Sequence, residues 1–305
     1  MSATLTVFLA LALDRVCGEP RRWHPLVGFG RLAQHLEVHL NRDSLSTTAR
    51  RLNGVLAVVL PLLLITWLSA FLVRRTGFGL GFDVVLLYLA LGGQSLAQHA
   101  RRVMQAIDTN DLPLARTRVG YLVSRDTAAM QAQDVACAAV ESVLENGNDA
   151  VFGALFWFVV AGAPGVVLYR LANTLDAMWG YRTSRYVDFG WAAARLDDLM
   201  NFIPARLTAC SYALLGQCAR ALRCWREQAR AWESPNAGPV MAAGAGALGL
   251  RIGGPAWYHG ALKPRPPLGA GETPISADIE RALRLVWRGV MLWVGVIAVS
   301  EWLLT

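Results

Sequence analysis

The stretch Leu52–Val73, LNGVLAVVLPLLLITWLSAFLV, carries no ionisable side chain over 22 residues. Crossing the hydrocarbon of a bilayer takes about 20 predominantly apolar residues in a helix, so this stretch predicts a membrane span. Pro61 inside it predicts a kink, because proline removes one helix hydrogen bond and its ring clashes with the preceding turn. Arg74 and Arg75 leave only a brief turn before Phe82–Ala97, a shorter apolar stretch ending in Gly92-Gly93-Gln94 that predicts an angled return. The pair reads as a helical hairpin.

Composition agrees with this setting. The chain of 305 residues is 54% hydrophobic and 17% charged, against about 25% charged in soluble globular domains. Its net charge of +7 is almost wholly arginine, Lys263 being the only lysine among 29 basic residues. Arginine grips phosphate or carboxylate through a planar fork, whereas lysine acts as a flexible point charge. The arginines are spread through hydrophobic sequence and form no basic stripe, which speaks against nucleic acid. Five cysteines without C-x-x-C spacing read as reduced and mostly buried. Residues 3–13 predict a short membrane-embedded helix. No basic residue precedes them and no small-residue processing site follows, so a cleaved signal is not expected.

Three further apolar stretches complete the inventory: Val151–Ala172, Ile203–Leu222 and Leu285–Leu304. The first is interrupted at Gly162-Ala163-Pro164-Gly165, where uninterrupted helix is unfavourable. The fold class is therefore mainly α: a polytopic helical integral membrane protein with about four to six membrane-embedded helices, one or more broken or re-entrant, plus amphipathic cytoplasmic helices. No internal repeat or long linker divides it, so residues 1–305 read as a single integral membrane domain. Basic residues in 14–51, among them Arg15, Arg21, Arg22, Arg31, Arg42, Arg50 and Arg51, and others in 220–284, place those segments in the cytoplasm. The 98–149 segment, joined by the hairpin, falls on that side too.

Two constellations carry candidate chemistry. Ser124-Arg125-Asp126-Thr127 precedes a predicted helix over Ala128–Glu145, with Asp126 or Thr127 as cap and Arg125 beside an anion-binding helix start. Along that helix Asp134, Glu141 and Glu145 share one stripe, followed by Asn146 and Asp149. Such oxygen ligands suit Mg²⁺ carrying a nucleotide phosphate. The second constellation is Tyr169–Asn201, charged and aromatic between apolar stretches, where ionisable groups are costly unless they pair or work. It offers Asp176 and Arg182 as catalytic candidates, Asn173, Tyr181 and Arg185 toward substrate or phosphate, and Asp197-Asp198 as a second carboxylate pair for metal.

Outside them, Asn236 sits in Ser234–Pro239 ahead of a Gly/Ala-rich run to Gly254, which fits either a phosphate cradle or tight helix packing. Lys263 and Arg265 lie in a proline-stiffened loop and could meet phosphate. His35 and His39 read as a surface pair and His24 as a turn residue.

The segments Asp14–Arg31, Val119–Thr127, Ala139–Asp149, Tyr169–Asp198, Ser234–Gly254 and Tyr258–Gly269 together resemble the membrane-bound adenosylcobinamide-phosphate synthase family of cobalamin biosynthesis, called CobD or CbiB. The resemblance runs through nearly the whole chain in order. It departs at Asp149-Ala150, where the family usually has Asp-Gly, and at Pro239-Val240-Met241, where a glutamate is common.

The resemblance implies ATP-dependent amide formation between adenosylcobyric acid and aminopropanol or its phosphate. Activation as an acyl phosphate is the simplest route, since a carboxylate is a poor acyl acceptor. ATP and Mg²⁺ are then the expected cofactors, Glu141 and Glu145 the leading carboxylates, and other pathway enzymes possible partners at the inner membrane, with the active site facing the cytoplasm. No P-loop consensus is present, so any nucleotide site is of another type. A transporter for a corrinoid precursor or a membrane scaffold are the competing classes; the first predicts inverted symmetry, which the sequence lacks.

Overall fold

The computed structural model describes residues 2–20, 24–75, 79–258 and 260–304. Arg21, Arg22, Trp23 and His259, counted above among the basic and family-like segments, lie outside the described residues. In chain order the helices are α1 (Ala3–Cys17), α2 (Pro25–Leu40), α3 (Thr47–Arg75), α4 (Gly79–Ala90), α5 (Gly93–Asp108) and α6 (Leu112–Val119). They continue as α7 (Ala132–Gly147), α8 (Gly153–Trp179), α9 (Trp191–Leu215), α10 (Cys218–Gln228), α11 (Ala237–Leu248) and α12 (Ser276–Leu304). Four strands, β1 (Arg251–Gly253), β2 (Ala256–Tyr258), β3 (Ala261–Lys263) and β4 (Pro267–Gly269), lie between α11 and α12.

Among the described residues four helical stretches are long and apolar enough to cross a membrane: Thr47–Arg75, Gly79–Asp108, Ala132–Trp179 and Ser276–Leu304. The helical polytopic architecture expected from the apolar runs is therefore present. Pro61 does not interrupt α3, which stays helical throughout. The break in α8 falls at Gly162, whose φ of 64° and ψ of −158° leave the helical region just before Pro164. The apolar 203–222 stretch is not a helix of its own: α9 begins at Trp191 and ends at Leu215, and α10 follows from Cys218.

The chain forms two compact units, each from separated segments. One comprises Met1–Gly92, Gly153–Asn201 and Ser300–Thr305; the other comprises Gly93–Phe152 and Phe202–Val299. The first is called the outer unit below and the second the central unit, by position in the chain alone.

In the outer unit the fully buried side chains include Leu62, Leu87, Tyr169, Trp179 and Phe189. Trp179 meets Phe189 edge to face, the ring centroids 5.0 Å apart. Gly54 on α3 lets the helix lie against the Phe189 backbone, which a Cβ would overlap. His24 caps α2, its Nδ1 accepting from the Leu26 amide at 3.2 Å, so its turn role holds. Segment 180–190 is tied to the start of α3: Arg50 Nη2 donates to the Arg185 carbonyl at 2.7 Å and to that of Ser184 at 3.2 Å. Segment 180–190 therefore lies on the same side as the basic 41–51 stretch. At the other end of the same unit, Glu301 accepts from Ser2 Oγ and from the amides of Ala3 and Thr4, each at 3.0 Å, which satisfies the start of α1.

In the central unit Leu144, Phe152, Tyr212, Met241 and Ile252 form the largest fully buried side chains. Nearly every residue of α11 is buried. Its glycines leave no spare room: a Cβ at Gly244 would press on Leu144, and one at Gly246 on the Ala221 backbone. Of the two expectations for the Gly/Ala-rich run, tight packing through small residues is the one the structure displays. Strand β1 pairs antiparallel with β4, and β2 with β3.

Candidate active site

Glu141 is the hub of the central unit's polar interior. Its Oε2 accepts from Arg125 Nη2 at 2.9 Å and Arg265 Nη2 at 3.2 Å, and its Oε1 from the Gly253 amide at 2.7 Å. The side chains are 7% exposed for Arg125 and Glu141 and 11% for Arg265, so these charges are held away from water. Buried charges persist only when paired and hydrogen-bonded. One carboxylate here faces two guanidiniums, and the buried Nε of Arg125 has no partner among the described residues. These three side chains alone sum to one positive charge, and the Glu145 carboxylate stands on the wall of the cavity beside them.

Local structure explains how three distant positions meet. Helix α7 presents Glu141 on its inward face, while Gly253 and Gly254, with φ of 81° and 85°, turn the chain after β1 so that the Gly253 amide points at the carboxylate. Left-handed backbone of this kind favours glycine. Arg265 is fixed by its Nε, which donates to the Gly254 carbonyl at 3.0 Å, and lies over the Trp232 ring at 5.1 Å. A cavity of about 120 Å³ opens beside the group, lined by Ser124, Arg125, Glu141, Glu145, Tyr258 and Arg265 among others. At about 30 Å³ per water it has room for roughly four water-sized groups, the scale of a phosphate or a small amine.

Helix α7 starts at Ala132 and not at Ala128; Asp134 is spent at its first turn, accepting from the Gln131 amide at 2.9 Å. Asp126 does not cap it. It accepts from the Gly260 amide at 2.8 Å instead. The anion site foreseen at a capped helix start is thus replaced by Arg125 paired inward with Glu141. Asp149 accepts from Asn148 Nδ2 at 2.9 Å in the π turn 148–152 and does not line the cavity with Glu141 and Glu145. Asn236 accepts from Arg206 Nη1 and is buried, so it clamps the start of α11. Lys263 pairs with Glu233 at 2.7 Å on the exposed ribbon.

The second constellation lies in the outer unit as a chain of polar contacts. Tyr169 Oη donates to Asn201 Oδ1 at 3.0 Å, Asn201 Nδ2 donates to both Asp197 oxygens at 3.1 Å, and Asn173 Nδ2 donates to Asp197 Oδ1 at 3.2 Å. Arg170 Nη1 then donates to Asn173 Oδ1 at 3.2 Å. Asp198 pairs with Arg195 at 3.1 Å, and the Arg182 guanidinium, exposed, also acts on it. Arg185 has a carboxylate partner. It bonds Glu37 at 2.6 Å, and that carboxylate raises the Arg185 pKa. Asp176 folds back beside Gly180, where a Cβ would overlap its Oδ1, and Tyr181 is exposed.

Among the described residues no group of three or more His, Cys, Asp and Glu is placed to hold a metal, the His35–His39 pair included. Glu141, Glu145, Asp149, Asp197 and Asp198 are accordingly not one cage. Four predicted residues do meet, namely Arg125, Glu141, Glu145 and Arg265. Sequence reading missed the parts played by Trp232 and the Gly253 amide; the paired glycines 253–254 were the available signal.

Burial raises the Asp197 carboxyl above its ordinary value, with Asn173 and Asn201 opposing. A carboxyl raised on folding contributes stability at low pH that is lost as pH rises through its raised value, above the usual ~3.9. Asp197→Asn is therefore expected to unfold no earlier than wild type at pH 7, the difference closing as pH falls toward that range. Thermal unfolding in detergent across pH checks this, and a lower midpoint for the variant at pH 7 would contradict it.

A profile of the CobD/Cbib protein family matches residues 7–286. The chain belongs to the CobD/Cbib family. Its similarity to a protein of Stutzerimonas stutzeri named Cobalamin biosynthesis protein CobD reaches 60% identity over 306 residues, covering 99% of each chain. A Chromobacterium violaceum protein of the same name is 58% identical, covering 96% of this chain and 95% of its own. One from Mycobacterium tuberculosis is 42% identical, with 92% and 90% covered. No solved structure matches the chain. For a CobD/Cbib member, the buried Arg125–Glu141–Arg265 group lies within the matched residues, joining the Val119–Thr127, Ala139–Asp149 and Tyr258–Gly269 segments.

Proposed function

We propose that this protein acts in cobalamin biosynthesis at the bacterial inner membrane, as an ATP-dependent ligase. It joins adenosylcobyric acid to (R)-1-amino-2-propanol or its O-phosphate through an amide bond. The observation that carries the reading is the buried Arg125–Glu141–Arg265 group beside a small polar cavity, with Arg125 Nε unpartnered. A phosphate oxygen suits that opening, because two guanidiniums face a single carboxylate there and guanidinium holds phosphate at two points.

ATP would supply the phosphoryl group that activates the corrinoid carboxylate. Arg125 and Arg265 would bind and orient the phosphates, and their rigid placement would stabilise charge on the transferring group without reorganisation. Glu145, on the cavity wall, would hold Mg²⁺ against a phosphate oxygen. Mg²⁺ commonly uses one or two carboxylates plus substrate phosphates, so no cage is required. Glu141 acts by positioning: it fixes both guanidiniums and the Gly253 amide. The amine then attacks the activated acyl carbon, and phosphate leaves.

Purified protein is expected to hydrolyse ATP only when both the corrinoid acid and the amine are present, with amide formed in equal amount. Transport without turnover, or amide formation without ATP, would contradict the reading.

The reading also puts segment 180–190 in the cytoplasm. Its ties to Arg50 place it with the basic 41–51 stretch, which the positive-inside rule assigns to that side. Ser184 is exposed and suits a probe, whereas the Thr183 hydroxyl is buried. On a cysteine-free background, Ser184→Cys is expected to resist a membrane-impermeant thiol reagent in intact cells and to react after lysis. Labelling in intact cells would reverse the orientation.

A further inference from the structure

The outer unit holds a second cavity, apart from the residues assigned above to amide formation. Its volume is about 390 Å³, inside the range of roughly 300–1,000 Å³ found for ligand sites. Helices α2, α3, α4 and α8 wall it with apolar side chains, among them Leu32, Leu68, Leu86 and Val167. Leu68 both lines the cavity and is exposed on α3, beside exposed Leu63, Leu64 and Trp67. The cavity is thus continuous with a face that meets acyl chains in a bilayer.

Its polar groups are few. Ser69 is satisfied by the Thr66 carbonyl at 2.7 Å. His24 is buried, and burial lowers its pKa, with Glu19 opposing and Arg170 acting in the same direction as burial, so the ring is uncharged at neutral pH. Arg170 is the charged group of the lining. Its Nη1 donates to the neutral Asn173 amide, its buried Nε has no partner, and among the described residues no carboxylate pairs with it. A cation at membrane depth is costly without an anion. Basic pockets between membrane helices take up lipid head groups for this reason.

We propose that this cavity binds an anionic glycerophospholipid from the bilayer, one acyl chain against the apolar walls and the phosphate at Arg170. A phosphocholine head would bring a quaternary ammonium beside the guanidinium, so the site discriminates by head-group charge. The inference stands apart from the ligase reading, which concerns the central unit.

The test uses the full-length protein, delipidated in detergent, with native mass spectrometry against phosphatidylglycerol and phosphatidylcholine of equal chain length. Phosphatidylglycerol is expected to be retained about tenfold more tightly, since both lipids offer the phosphate and only phosphatidylcholine adds a cation beside Arg170. Arg170→Gln is expected to abolish that preference while helical content is unchanged, and Leu86→Trp to weaken retention of both lipids by filling the cavity. Should Leu86→Trp not fold, Leu68→Trp at the cavity's open side gives the same readout. Equal retention of the two lipids by wild type, or an unchanged preference in Arg170→Gln, overturns the proposal. Displacement of phosphatidylglycerol by millimolar inorganic phosphate would assign the site to free phosphate and overturn it as well.

Discussion

Glu141→Gln is expected to lower both stability and turnover, and to differ in this from Glu145→Gln. The substitution keeps size and an acceptor for the Gly253 amide. It leaves the guanidiniums of Arg125 and Arg265 without the carboxylate that pairs them, at side-chain exposures of only 7% and 11%. Breaking a buried pair in this way costs about 3–5 kcal/mol, because an uncompensated charge stays buried. The phosphate clamp loosens with it, so turnover should fall by orders of magnitude. Glu145 is less buried than Glu141, so Glu145→Gln should lower the unfolding midpoint less than Glu141→Gln does. If it holds Mg²⁺, the loss is worth several kcal/mol in the transition state, about a hundredfold or more in rate, and the Mg²⁺ requirement rises. Unfolding midpoints in detergent and turnover at limiting Mg²⁺ separate the two. A wild-type midpoint for Glu141→Gln would remove its structural role, and near wild-type turnover for both variants would remove the cavity from the reaction.

Gly153→Ala is expected to be strongly destabilising in the outer unit. A Cβ there would overlap the hydroxyl and ring of Tyr169, a fully buried side chain. Tyr169 cannot swing toward water, and its hydroxyl anchors Asn201, which in turn holds Asp197. Overpacking a tight core costs about 1–3 kcal/mol by itself, and the displaced hydroxyl adds a buried polar group without its partner. Gly28→Ala is the control, since a Cβ at that glycine meets nothing within 4 Å. Comparable midpoints for the two variants would show that Tyr169 has room the packing does not display.

Much of the architecture was readable because bilayer physics acts on runs of sequence. The uncharged Leu52–Val73 run and the Gly-Ala-Pro-Gly interruption both report directly on local backbone, and α3 and the Gly162 break followed. What local pattern could not reveal was competition between partners. Ser124–Thr127 looks like a helix cap, yet Asp126 bonds the Gly260 amide more than a hundred residues on, and the helix waits until Ala132. Arg185 reads as a phosphate ligand, and its pairing with Glu37 on α2 is invisible in local sequence. The bond from Arg206 to Asn236 is likewise a tertiary contact that local pattern does not show. The Arg125–Glu141–Arg265 group was half legible: each residue stood out by type, while the left-handed turn at Gly253-Gly254 that joins them is a tertiary fact. Of the stripe Asp134–Glu141–Glu145, the last two line one cavity, while Asp134 is spent at the helix start on the Gln131 amide.

The hydrogen bonds from Ser2, Ala3 and Thr4 to Glu301 put a clock on the protein's birth. Ser2 and Glu301 are separated by 299 positions. At ribosomal speeds of about 5–20 residues per second, α1 waits roughly 15–60 s between emerging and receiving its cap. During that interval its first amides must be served by water or lipid head groups, which suits a helix only 15 residues long resting near the interface better than one committed to hydrocarbon. Closing this contact is among the latest steps open to the nascent chain, so the integrity of the outer unit reports on whether translation has run through α12.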